Sequence, residues 1–153
     1  MGWPRQPPEP PQTAVGSTPR LASLASDGWE LRSGEASSKA NPTTFSMPSL
    51  RERRALRRGM AVKLIFDQEG VEEDGTVTVQ AERMFVLLSQ PNGEGYLGLL
   101  TSKPQLLEPS EVYLCAAAEI YFEPEHVIQI DQPPEDFVRL MFSEPPTRYW
   151  PYF

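Results

Sequence analysis

Few side chains in this chain could do chemistry: it has one cysteine, Cys115, and one histidine, His126. A thiol and an imidazole within hydrogen-bond reach would supply a nucleophile and its base, the minimum for covalent hydrolysis. Cys115, however, is followed by Ala116, Ala117 and Ala118, a setting in which a cysteine serves as a small buried hydrophobe. His126 lies between Glu125 and a strand-like run, and no serine, lysine or acid forms a triad signature with it. One Cys and one His are too few for a zinc site. The acidic segment at residues 67–74 lacks the ligand spacing of an EF-hand, and Gly93, Gly95 and Gly98 are explained by a hairpin turn rather than a phosphate cradle. The expectation is a protein without catalytic residues, metal ligands or cofactor, which acts by binding.

Charge says what it would bind. Residues 1–58 carry nine basic against five acidic side chains, and residues 59–153 carry five against sixteen, a balance of +4 followed by −11. Such a field repels nucleic acid and anionic membranes and steers cationic proteins inward. The one basic cluster, the five arginines of SLRERRALRR, has no interleaved aromatics on which bases could stack. It reads as a solvated helix face, or as one paired with the domain's own acids. The lone Cys115 cannot form an internal disulfide, so the fold needs no oxidising compartment and a cytoplasmic location is expected. No run approaches the roughly 18 apolar residues of a membrane span, and the MGWPRQPPEPPQ start has neither a secretory apolar core nor a myristoylation serine or threonine.

The 17 prolines divide the chain: eight precede Ser49, Pro91 stands alone, and eight run from Pro104 onward. The flanks are thus expected to be loose around a regular middle. Residues 1–43 read as a disordered or irregular extension, with an arm over residues 27–48 that could dock through Trp29 and Phe45. Ser49 and Glu52 form a capping box that opens a helix facing the core through Leu50, Ala55 and Leu56 and stopped by Gly59. AVKLIF at 61–66 reads as a strand, and DQEGVEEDG as an acidic hairpin tip or excursion. TVTVQAERMFVLLSQ then reads as a long strand bulged near Ala81 and Glu82, and the turn at 91–95 leads to a strand at 96–100. Residues 112–122 fit either one helix or strands around a small-residue kink. Their β-rich neighbourhood favours strands, broken at Pro124. Phe137, Leu140 and Met141 mark the apolar face of a short helix, and the aromatic end either packs back or stays a sticky tail.

The run TFSMPSLRERRALRRGMAVKLIFD resembles the opening of a bacterial family catalogued as domain of unknown function number 2314. ERMFV at 82–86 is similar to that family's E-R-M-W-V, with Phe85 for tryptophan; GYLGLLTSKP and AEIYFEPEHVIQI are similar to its later segments. DGWELRSGE at 27–35 resembles a motif of neighbouring immunity-protein-type domains. The resemblance covers about residues 44–131 and implies a mainly β fold, a small SH3-like partly open barrel with a short N-terminal and a short C-terminal helix. Residues 132–153 follow as a helix and an aromatic-rich tail. It also implies an immunity protein that blocks a toxin, and it carries no catalytic residues over. On this reading the partner is another protein, a cationic toxin, bound through Glu69, Glu72, Glu73 and Asp74 with Tyr96 and Tyr113 as exposed aromatic anchors. The alternative is an adaptor or regulatory barrel in a larger assembly. A Cys115–His126 hydrolase is the third hypothesis.

Overall fold

The computed structural model describes residues 19–105 and 113–151. Its elements are α1 (Leu24–Asp27), β1 (Trp29–Leu31), α2 (Gly34–Ala40), α3 (Leu50–Arg53), β2 (Ala61–Val71), β3 (Val77–Asn92), β4 (Gly95–Leu100), β5 (Glu119–Phe122), a 3-10 turn (Pro124–His126), β6 (Gln129–Asp131) and α4 (Glu135–Phe142). The fold is mainly β, one antiparallel sheet in the order β1-β2-β3-β4-β5 that curls into a partly open barrel. Beyond β1, β6 joins the same side of β2, pairing with residues 61–63 while β1 pairs with 66–68.

The three main strands lie where the sequence placed them. Val62, Leu64 and Phe66 of β2 and Met84, Val86 and Leu88 of β3 point to one interior and are fully or nearly fully buried. Each such side chain contributes about 1.5–3 kcal/mol on burial. Leu87 and Leu99 point to the opposite face and pack under α4 with Val138 and Phe142. The apolar face of α4 is therefore Val138, Met141 and Phe142; Phe137 and Leu140 are exposed, a rotation of one residue from the expected stripe. The sheet has a hydrophobic layer on each face, and the second decides which side of α4 turns inward.

Both flanks are more ordered than composition suggested. Where an irregular arm was expected, β1 adds to the sheet edge with Trp29 opposite Gln68, and Ser23 and Ser33 cap α1 and α2. Trp29 is fully buried, and its ring meets Trp150 edge-on with centroids 5.2 Å apart. Tyr113 meets Trp150 at 4.9 Å, and Phe66 lies 5.9 Å from Trp29. The aromatic end thus packs back: Trp150 Nε1–H donates to the Arg20 carbonyl at 2.6 Å and its backbone N–H to Glu119 Oε1 at 3.1 Å. The expectations for the proline-rich start, for residue 112 and for the last two aromatics lie outside the described residues.

Three local expectations are corrected. The Ser49–Glu52 capping box forms, but α3 ends at Arg53 because the chain then turns Leu56 into the core; Leu50 and Ala55 stay exposed, and Gly59, at φ 93°, serves the entry to β2 instead. The β2–β3 ladder runs unbroken past Ala81 and Glu82, and the register shifts between Leu88 and Gln90. Of the strands expected around the small-residue kink only the second forms: residues 113–115 are irregular, the kink is a turn with Ala117 at φ 64°, and β5 begins at Glu119.

Candidate functional site

The acidic segment is mostly strand. Cross-strand pairing from Asp67↔Ala81 to Val71↔Val77 carries β2 well past its apolar run, so composition yields to the ladder. The tip is held locally. Gly75, at φ 87°, donates its N–H to the Glu72 carbonyl at 2.9 Å, and Glu72 N–H donates to the Thr76 carbonyl at 2.8 Å. The Asp74 carboxylate accepts from Thr76 N–H at 2.9 Å, and hydrogen bonds from Thr76 hold its pKa below the usual carboxylate value. Glu72, Glu73 and Asp74 are exposed and Glu69 is half-buried. Among them stand three large apolar side chains in water: Val71, Val77 and Val79 are 74%, 59% and 52% exposed. Val71 and Val77 are direct partners, as are Glu69 and Val79, so all four share one face of the hairpin.

The two tyrosines expected as exposed anchors are core residues. Tyr96 is 6% exposed, stacks on Phe122 at 5.5 Å and donates its hydroxyl to the Arg53 carbonyl at 3.3 Å. Tyr113 is 4% exposed and donates to the Glu119 carbonyl at 2.8 Å, and burial pushes its pKa far up. The structure does not bring them to the acidic tip: Tyr96 lies on β4 against Phe122, and Tyr113 belongs to the aromatic cluster with Trp29 and Trp150. Neither tyrosine could be told from a surface anchor by its neighbours in sequence.

At the other end of the sheet lies a groove of about 690 Å³. Glu35, Glu94 and the pair Glu123 and Glu125, from three separate segments, line it together with Leu50, Arg54 and Tyr96. Arg53, behind the groove, ties two of its lining residues, Glu35 and Pro124, together. Only 6% exposed, it donates from Nε to the Pro48 carbonyl at 2.9 Å and from Nη1 to Glu35 Oε2 at 2.8 Å and the Pro124 carbonyl at 2.9 Å. One of the five clustered arginines is therefore a buried tie, not part of a solvated face. Sequence reading missed the groove because no spacing joins positions 35, 94 and 123; the Glu123-Pro124-Glu125 run was the only local sign.

Cys115 and His126 are not hydrogen-bonded to each other. Cys115 Sγ is 3.5 Å from Thr147 Oγ1. His126 is 3% exposed, and its Nδ1 accepts from Glu123 N–H at 3.0 Å, so the neutral ring carries its proton on Nε2, 3.4 Å from Glu125 Oε1. Burial lowers the His126 pKa against the pull of Glu125. The histidine braces the 3-10 turn below the groove. Among the described residues no group of three or more His, Cys, Asp or Glu side chains is arranged to hold a metal ion, and no helix is long and apolar enough to cross a membrane. No protein family, curated protein or solved structure matches the chain.

Proposed function

We propose that the chain is a protein-binding module, acting without enzymatic chemistry, whose acidic hairpin docks a cationic partner. The observation that carries this is the β2–β3 tip: Glu72, Glu73 and Asp74 surround Val71, Val77 and Val79, apolar side chains left in water where the rest of the sheet buries its own. Carboxylates steer and select a cationic surface, and desolvated valines supply the area that holds it. With the balance of −11 over residues 59–153 and the resemblance to family 2314 and its immunity-type neighbours, this supports an inhibitor of a cationic toxin, working in a reducing cytoplasm that suits the free Cys115. The test is co-expression with the product of the adjacent gene. Rescue of growth and a co-purifying complex support the reading, and neither rescue nor complex overturns it.

The adaptor reading draws on a separate observation, the glutamate-lined groove at the far end of the sheet. Two docking surfaces on one small barrel suit a protein that joins two others. Genomic context separates the readings: a toxin or secretion neighbour favours the inhibitor, a metabolic setting the adaptor.

A further inference from the structure

Among the described residues, the hairpin continues beyond β1 and β4 as two strands alone. On one side β2 takes its last main-chain partner where Glu69 N–H donates to the Gly28 carbonyl at 3.0 Å. On the other, β4 pairs with β3 only from Val86 onward, with one further bond from Thr101 N–H to the Phe85 carbonyl at 3.0 Å. Among the described residues no main chain bonds to the main chain of β3's outer edge over residues 77–83; the one neighbouring main-chain group, Gln105 N–H, donates to the Glu82 carboxylate at 3.1 Å.

The ladder fixes which groups that edge presents. Leu88 N–H is directed to the Met60 carbonyl and the Phe85 carbonyl to Thr101 N–H, so even-numbered residues of β3 bond inward and odd-numbered ones outward. With the register unbroken from Leu87 to Val77, the N–H and C=O groups of Val77, Val79, Ala81 and Arg83 face out. All four residues are exposed. An edge of this kind is normally blunted by proline, lysine or a bulge. The sequence VTVQAER has no proline or lysine, and the ladder no bulge here; only Arg83, at the end nearest β4, carries positive charge.

We propose that the outer edge of β3 over residues 77–83 receives an extended, lysine- or arginine-bearing segment of a partner protein as an added strand. This rests on the protein-binding reading above and specifies its mode. Charge selects the occupant. Glu72, Glu73 and Asp74 stand exposed at one end of the edge and Glu69 is the cross-strand partner of Val79, so a second copy of this chain would bring like charges together, whereas a cationic strand is attracted. Its alternate side chains continue the Val77–Val79 stripe on one face and meet Thr78, Gln80 and Glu82 on the other.

The probe is a capped octapeptide alternating lysine and valine, titrated into the isotope-labelled full chain at low salt, with a glutamate–valine octapeptide as control. The amides of Val77, Val79, Ala81 and Arg83 are expected to slow in hydrogen exchange by about tenfold or more, while those of Thr78 and Gln80, already bonded to β2, change little. Val79→Pro removes one outward N–H and no β2–β3 bond, and is expected to weaken peptide binding by about tenfold with the melting temperature nearly kept. Replacing Glu72, Glu73 and Asp74 by lysine should abolish binding. No binding, equal binding of the acidic peptide, or protection of the same amides by concentrating the protein alone overturns the proposal, the last by giving the edge to a second copy. Lysine–valine binding that is lost with the tip variant but leaves the four amides unprotected overturns strand addition alone and keeps the acidic docking surface.

Discussion

At its base the β2–β3 ladder has strands on both sides and apolar layers on both faces; at its tip, among the described residues, it has neither. Around Ala61 and Leu87, β6 and β4 flank the pair, α4 covers one face and the aromatic core fills the other. Around Val71 and Val77 the same two strands stand in water with carboxylates between the valines. The base is held by tertiary burial and the tip by its own turn and ladder bonds, so the tip is free to carry side chains that folding does not need. Substitutions at the base should cost stability, and those at the tip should cost binding.

The sharpest break of that comparison is at the aromatic cluster. Trp150→Ala should destabilise the fold by about 3–5 kcal/mol in urea titration, since it opens a cavity against Trp29 and Tyr113 and frees the Arg20 carbonyl. A loss below about 1 kcal/mol would make the C-terminal aromatic a surface feature. Next, Arg53→Ala should cost about 2 kcal/mol, because the Pro48 and Pro124 carbonyls each lose a donor; Glu35, more than a third exposed, adds little. Arg54→Ala on the same turn should fall within about 0.5 kcal/mol of wild type.

Two buried ionisable groups make the base pH-sensitive in opposite directions. Burial raises the pKa of Glu119, so the folded state holds its proton more tightly than the unfolded chain. That contribution is present below the ordinary carboxylate pKa and is lost as pH rises through the raised value. Glu119→Gln keeps an acceptor for Trp150 N–H and should be more stable than wild type at pH 7, the difference fading toward pH 4 in urea midpoints. His126, with its pKa lowered, acts the other way: the wild type should lose stability as pH falls below the ordinary imidazole value of 6.5, and His126→Gln should lose less over that interval. At the tip, lysine at 72, 73 and 74 should cost about 1 kcal/mol, most of it from the lost Asp74–Thr76 turn bond.

The same division governs what the sequence revealed. β-branched and aromatic content placed β2, period-two alternation β3 and the turn at 91–95 β4, and the Ser49–Glu52 box placed the start of α3, because each of these signals is local in sequence. β1 was not legible: Trp-Glu-Leu among turn-formers becomes a strand only when β2 offers an edge to pair with, and Trp29 is buried by Trp150, 121 positions away. The acidic tip was legible as composition, but its valines were read as strand pattern and not as exposed surface. Tyr96 and Tyr113 were misread as anchors for the complementary reason, since only the fold shows Phe122 and Trp150 closing over them.

The most direct test captures partners from the native host with three full-length baits: wild type, the lysine triple variant at 72, 73 and 74, and Val79→Pro. The account predicts melting temperatures within a few degrees of one another, with a cationic protein retained by wild type and lost by both variants. A partner retained undiminished by both would contradict it, and would place binding away from the hairpin tip.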